Sequence, residues 1–306
     1  MNATPVIEAR GLTKHYGATV GVEALDLTVE PGEVFGFLGP NGSGKTTTIR
    51  LLLGLIHPTT GDARLFGRPA DDPALRDRVG YLPGELVLDG RMTGAETLRF
   101  LERLGSRPAH LRAELCRRLG LGRTDLERRV RDYSRGMKQK LGLIAALQHD
   151  PDLLLLDEPT TGLDPLVRET VFELLANAGR TGKTVFHSSH VLSEVDRTCT
   201  RVAIIGRGRL LGVMRVADIH RTSVRRMVVH FAGKAPLAEL ELTGVELVEH
   251  DDPAVVLRVS GELDPLLAVL ARHSVAHLVF PEPSLEEAFV ELYRSSSPAR
   301  QSDEPS

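Results

Sequence analysis

The sequence predicts an α/β fold with a parallel sheet, a helical insert and a second, smaller α+β domain. Three observations carry this reading. The run from Leu153 to Leu156, closed by Asp157, Glu158 and Pro159, is continuously apolar, as in a strand buried on both faces of a parallel sheet. A glycine-rich stretch from Gly39 to Gly44 stands between the β-like EVFGFLG and KTTTIRLLLGLI, which runs without a breaker until Gly54, so that a strand, loop and helix follow in succession. Beyond about Val216 the text turns to short alternating segments, the pattern of a separate small α+β domain.

Taken in order, the residues from Pro5 to Phe37 form short β-like runs (VIEARGLT, ALDLTVE, EVFGFLG) divided by Gly and Pro. The helix that opens after Gly44 stops at Gly54, ahead of Pro58. Between Gly94 and Leu147 the stretches ETLRFLERL, AHLRAELCRRLG, TDLERRV and MKQKLGLIAALQ repeat apolar residues at helical spacing, which predicts an all-helical insert. TVFHSSH and RVAIIGRGRLL read as further strands. In the C-terminal part RRMVVHFAG, VELVEH, AVVLRVSG and HLVFP read as strands, while DPLLAVLARH and SLEEAFVELYR read as helices. The last of these opens on a capping box made by Ser284 and Glu287. The tail SSSPARQSDEPS has too little apolar surface to offset its ordering entropy and is expected to be disordered.

A length of 306 residues allows two domains with sizeable cores. Lys and Arg number 38 against 41 Asp and Glu, a net charge of −3, so the chain has no bulk positive field for gripping nucleic acid, and none is expected as a partner. Cys116 and Cys199 fit neither a disulfide framework nor a zinc site, and neither has a neighbouring base in sequence to lower its pKa. No window is apolar enough for a membrane span and MNATPVIEAR is not a signal sequence, which together point to a soluble intracellular chain. An excess of Arg over the six Lys is the habit of GC-rich bacterial genomes.

The sharpest motif is Gly39-Pro40-Asn41-Gly42-Ser43-Gly44-Lys45-Thr46-Thr47, which fits G-x-x-x-x-G-K-[ST] in the required context of strand and helix. Its glycines let backbone N–H groups wrap a phosphate chain at a positive helix end, Lys45 reaches toward the terminal phosphates, and the Thr46 hydroxyl suits Mg²⁺. The second motif, Asp157-Glu158, ends a buried strand at the sheet edge where α/β proteins bind ligands. Two carboxylates divide the work: Asp157 holds Mg²⁺, and Glu158 orients or deprotonates an attacking water.

With these motifs in this order, the stretch from about Pro5 to Gly212 resembles the ATP-binding subunit of an ABC transporter. The resemblance implies a P-loop ABC-type ATPase domain over residues 1–218, with a mixed sheet core, an antiparallel β subdomain and a helical subdomain at about 88–150. It leaves residues 219–295 as the small C-terminal α+β domain and 296–306 as the tail. Thr161-Gly162-Leu163-Asp164 is similar to the D-loop between subunits, Ser188-Ser189-His190 to the switch-histidine loop with His190 on the γ-phosphate, and Tyr16 to the aromatic that stacks on adenine. Tyr133-Ser134-Arg135-Gly136-Met137-Lys138-Gln139 resembles a degenerate signature loop. In it Ser134 and Gly136 keep the hydroxyl and the Cβ-free backbone that face the γ-phosphate of the opposite subunit's ATP, while Arg135 and Met137 depart from the pattern. Where the family often has Gln after Tyr-Leu-Pro, this chain has Gly84 followed by Glu85; Glu85 supplies the missing metal oxygen, contacts a membrane partner, or is a solvated loop acid.

Pro283-Ser284-Leu285-Glu286-Glu287-Ala288-Phe289 is similar to the ending of ABC-2 and daunorubicin-resistance-type export ATPases. The resemblance therefore implies ATP and Mg²⁺ as cofactors, catalysis by Glu158, His190 and Lys45, and a head-to-tail homodimer. It also implies a separately encoded transmembrane permease meeting the region from about Tyr81 to Arg131, and a place on the inner face of the membrane. The alternatives are a soluble ABC ATPase acting on a cytosolic macromolecule and a non-hydrolysing regulatory nucleotide binder.

Overall fold

A computed structural model describes residues 4–218, 225–260 and 262–280. Its internal contacts divide the chain between Arg215 and Val216, three residues before the expected boundary. The capping box at Ser284 and the tail from 296 lie outside the described residues.

The first unit is built on two sheets. An antiparallel sheet has the order β2-β1-β4-β5, from β1 (Ile7–Tyr16), β2 (Thr19–Val29), β4 (Thr60–Leu65) and β5 (Arg68–Pro69). A six-stranded mixed sheet has the order β10-β9-β3-β8-β7-β6, from β3 (Val34–Leu38), β6 (Val79–Leu82), β7 (Leu153–Asp157), β8 (Thr184–Ser189), β9 (Arg201–Gly206) and β10 (Arg209–Arg215). Only the β9–β10 pair in it is antiparallel. β3, β7 and β8 are buried along their whole length; β3 and β7 are nearly uninterrupted apolar runs, while β8 also buries Thr184, His187, Ser188 and Ser189. One core joins the two sheets to helix α1 (Lys45–Leu52): Ile7, Leu25 and Leu27 from the first sheet meet Phe35, Phe37, Leu155 and Phe186 from the second and Ile49 from the helix. Phe186 stacks on Phe35 with ring centroids 5.8 Å apart and lies 5.3 Å from Phe37.

The helical insert comprises α2 (Gly94–Arg103), α3 (Arg112–Arg118), α4 (Arg123–Leu126) and α5 (Arg135–Leu147). α2 opens on a full capping box between Thr93 and Glu96. TDLERRV yields less helix than its periodicity predicts. The Val130 and Arg131 amides donate to the carbonyls of Met92 and Gly90, and Thr93 pairs with Arg129 in an isolated bridge, so tertiary pairing of the backbone ends α4 early. α6 (Pro165–Arg180) and α7 (Leu192–Thr198) complete this unit.

The second unit holds an antiparallel sheet in the order β12-β13-β11-β14, from β11 (Arg225–Phe231), β12 (Val245–Asp251), β13 (Ala254–Val259) and β14 (Val275–Val279). Helix α8 (Asp264–Leu270) packs Leu266, Val269 and Leu270 against Met227, Val229, Val255 and Leu257. This is the small α+β core that the alternating segments predict. Among the described residues no helix is long and apolar enough to cross a membrane.

Candidate functional site

Strand register assembles the site. β3 lies beside β8, β8 beside β7 and β7 beside β6, all parallel, with Leu38 opposite Ser189, Asp157 opposite Ser188 and Leu82 opposite Leu156. The segments leaving these four strand ends therefore emerge side by side: the loop from Gly39, the acids Asp157 and Glu158, the Ser188-to-His190 turn, and Pro83-Gly84. This is the edge at which open α/β sheets take ligands.

The glycine loop is shaped by contacts that a side chain would forbid. A Cβ on Gly39 would lie 2.4 Å from the Ile205 carbonyl oxygen, and one on Gly44, whose φ is 108°, would lie 2.4 Å from that of Gly21. Gly42 also has positive φ and, with Pro40 and Asn41, forms the exposed rim. Lys45 is buried; its Nζ donates to the carbonyls of Gly39 (2.8 Å) and Pro40 (3.2 Å) and lies 3.6 Å from Glu158 Oε1. Ser43 Oγ is buried without a hydrogen-bond partner. A concave loop at a helix N-terminus, with a buried ammonium and an orphaned hydroxyl, fits a phosphate chain. Tyr16, half-exposed at the end of β1, approaches the same helix: a Cβ on Gly21 would sit 3.0 Å from its ring and 3.1 Å from the Thr47 methyl.

Thr46 Oγ1 donates to Asp157 Oδ2 at 2.6 Å. A hydroxyl and a carboxylate in this relation are the partial oxygen shell that Mg²⁺ accepts alongside waters and substrate phosphates. Among the described residues no group of three His, Cys, Asp or Glu is arranged for a metal. Gly84 belongs to this wall as well, since a Cβ there would come within 2.8 Å of Asp157 Oδ2. Glu85 is exposed.

Glu158 is held from several sides. Its backbone has a φ of 49°, unusual for a non-glycine residue and a recurrent mark of functional turns. Its Oε1 lies 3.0 Å from His190 Nδ1, and its Oε2 accepts from Thr161 Oγ1 at 3.2 Å. The Glu158 amide donates to Ser188 Oγ (3.0 Å), while that hydroxyl donates to Asp157 Oδ1 (2.5 Å). Gln139 of α5 donates Nε2 to the carbonyls of Pro159 (2.9 Å) and Glu158 (3.3 Å). Thr160 and Ser189 both donate to the buried Glu194 carboxylate. Ser188, Gln139 and Glu194 have no role in the sequence reading; Ser188 and Gln139 stand inside motifs quoted there, but only the register shows what they touch.

Ser188 thus orders both acids at once. Its replacement by Ala leaves a buried Asp157 oxygen and the Glu158 amide short of a partner, each worth about 1–3 kcal/mol when unmet. Ser188→Ala is expected to lower ATP turnover roughly ten- to hundredfold through misplacement of the carboxylates, with ATP affinity near that of wild type. Steady-state turnover beside nucleotide titration checks this.

The remaining sequence-derived residues form a second group. Ser134 caps α5, accepting from the Met137 amide at 3.2 Å. Arg135 lays its stem along Gly162, and a Cβ on Gly136 would lie 2.9 Å from the Gly162 carbonyl oxygen. Asp164 caps α6 by accepting from the Val167 amide at 3.0 Å. These contacts join the Ser134 turn to the Gly162 turn of the same chain, whereas Lys45, Thr46, Asp157, Glu158 and His190 make the contacts of the phosphate loop.

Cys199 departs from its sequence reading, which gave it no neighbouring base. His187 Nε2 is 3.0 Å from both Cys199 Sγ and Thr198 Oγ1, and because the Thr198 hydroxyl donates to the Glu194 carbonyl, Nε2–H is the donor. Burial decides both pKa values, pushing the thiol up to about 12 and the imidazole down to about 4. His187 therefore stays neutral when folded but charges when unfolded. Stability is expected to fall as pH drops from 6.5 to about 4, by an amount on the order of 3 kcal/mol, and His187→Gln should remove that portion of the pH dependence. Urea unfolding at neutral and mildly acidic pH measures it.

The profile of the ABC transporter family matches residues 22–161. The Nod factor export ATP-binding protein I of Cupriavidus metallidurans is 36% identical over 296 residues, which span 94% of this chain and 97% of the relative. The chain belongs to the ABC transporter family. Daunorubicin/doxorubicin resistance ATP-binding protein DrrA of Streptomyces peucetius is 34% identical to this ABC chain over 323 residues, covering 99% of it and 98% of DrrA. The dimeric structure of a bacterial ABC transporter cassette shares its fold, with a TM-score of 0.64 at 23% identity over 69% of this chain and 98% of that one. The chain is thus a P-loop ABC ATPase and an ATP-binding subunit of the ABC transporter family, similar along nearly its whole length to ATP-binding proteins named for Nod factor export and for daunorubicin resistance.

Proposed function

We propose that this ABC subunit hydrolyses ATP in a head-to-tail homodimer and drives export of a drug, antibiotic or lipid-like substrate through a separately encoded permease at the inner face of the membrane. The observation that carries the catalytic part is the convergence on one carboxylate oxygen: Glu158 Oε1 lies 3.0 Å from His190 Nδ1 and 3.6 Å from Lys45 Nζ. The export direction is supported by relatives named for Nod factor export and for daunorubicin resistance that align along nearly the whole chain.

In this reading Gly39 to Gly44 wrap the phosphates of ATP, Lys45 neutralises the terminal ones, and Tyr16 stacks on the adenine. Thr46 and Asp157 hold Mg²⁺, which when bound offsets the charge that develops on the phosphates. Glu158 accepts a proton from the attacking water, and His190 orients Glu158 and senses the γ-phosphate. Ser134, Arg135 and Gly136 meet the γ-phosphate of the opposite subunit's ATP across the Asp164 turn. Hydrolysis removes contacts that only ATP supplies, which gives the dimer two states. Gly84 leaves the metal side of Asp157 without a side chain, and the neighbouring Glu85 supplies an oxygen there or meets the permease.

Detergent pull-down of the tagged chain from native membranes, with partner identification and turnover assays of wild type and Glu158→Gln, tests the proposal. A multi-span membrane protein with Glu158-dependent turnover is the expected result. A soluble partner with turnover intact would replace the transport reading by that of a cytosolic ABC ATPase.

A further inference from the structure

The helical insert carries a charge out of keeping with the chain. Residues 88–131 hold eleven Arg, no Lys and six Asp or Glu, within a sequence whose net charge is −3. α2, α3 and α4 border an open cavity of about 720 Å³. Ala95, Leu121 and Leu126 give it an apolar floor, and the exposed Arg99, Arg117 and Arg123 form its rim. Arg123 is partly neutralised by Glu127, to which it donates at 2.9 Å. The Arg99 and Arg117 side chains make no hydrogen bond or ion pair among the described residues, and Arg99 acts on the nearby Glu96 only through space. Two free guanidinium groups over an apolar floor suit an amphiphile with a phosphate head, because the planar fork binds phosphate oxygens in pairs and its weak hydration makes desolvation affordable.

The surface beside the cavity narrows the occupant. On α2 and at its C-cap, about 100° around the helix axis from Arg99 and Arg103, Phe100 and Leu104 project into solvent with 51% and 69% of their surface exposed. Protruding apolar side chains flanked by arginines form an interfacial stripe, whose apolar members enter the acyl boundary while the cations stay among the headgroups. A peptide-docking surface would instead recess its apolar anchors in pockets. We propose that this face of the insert binds anionic phospholipid, with a phosphate headgroup between Arg99 and Arg117 and with Phe100 and Leu104 in the interface. The contact gives the subunit its own hold on the membrane, additional to the permease, and it stands or falls separately from the ATPase chemistry.

The test uses the purified full-length chain without permease, sedimented with vesicles of phosphatidylcholine alone or mixed with phosphatidylglycerol. Partition onto the anionic vesicles that weakens with salt is expected. Arg99→Gln combined with Arg117→Gln should lower the partition constant roughly 30-fold, with unchanged thermal midpoint and ATP turnover. Phe100→Ser with Leu104→Ser should weaken binding to the same vesicles while keeping its salt dependence. Equal partition onto both kinds of vesicle, or wild-type binding by the arginine double variant, would overturn the proposal. So would loss of permease co-purification in that variant with no vesicle binding by wild type, an outcome that assigns the cavity to an acidic protein segment. Inorganic phosphate that competes fully at low concentration would likewise assign it to a soluble anion.

Discussion

Glu158→Gln lowers ATP turnover by about two to four orders of magnitude while leaving ATP binding intact. The carboxylate is the group that takes up the proton, and the amide is nearly isosteric, so the contacts from Thr161 and His190 and the Glu158 amide bond to Ser188 persist in shape. The substitution also removes the charge 3.6 Å from Lys45, so the ammonium is freer to serve the phosphates. Binding without hydrolysis should hold two subunits together. Gel filtration of this variant in ATP and Mg²⁺ is expected to show a dimer that wild type forms only transiently, and a monomer there would contradict the role given to Glu158.

Lys45→Ala weakens ATP binding by roughly two to three orders of magnitude, the scale on which a desolvated charge-assisted contact is lost. Lys45 is 6% exposed and bridges the Gly39 and Pro40 carbonyls, so its removal takes away both the charge that meets the phosphates and a brace of the loop itself. The two parts separate by measurement. Equilibrium nucleotide titration reads the affinity, and a thermal midpoint near that of wild type without nucleotide shows that the fold survives.

Much of this site was legible in the sequence because its chemistry is written in contiguous residues. Gly39 to Thr47 and Leu153 to Glu158 each carry a strand, a turn and the reactive side chains in one stretch, and the parallel sheet needs only to lay those stretches side by side. The positioning residues were less legible. Ser188 bridges the two acids through register across β7 and β8, and Gln139 reaches the Glu158 carbonyl from helix α5, relations with no local signature. Gly84 reads only as a missing side chain, yet the structure sets it against Asp157, where a Cβ would crowd the carboxylate. The shortening of α4 had the same origin, since periodicity reports which face is apolar but not which backbone amides are claimed by a neighbouring loop. Cys199 appears isolated in sequence, and its partner His187 comes from β8, across from the end of α7 where Cys199 stands.

In the proposed dimer each ATP site is shared: Lys45 and Glu158 come from one subunit and Ser134 from the other. This sharing is supported by the contacts of the Ser134 turn, which packs on Gly162, while Lys45 turns to the Gly39 and Pro40 carbonyls and to Glu158. Mixing Lys45→Ala chains with Ser134→Glu chains tests it most directly, with turnover measured against each variant alone. In the mixed dimer one site combines both lesions and the other has an unaltered phosphate loop facing an unaltered Ser134 turn. Turnover well above that of either variant is the predicted result. Mixed chains no more active than the separate ones would place the whole site within a single subunit.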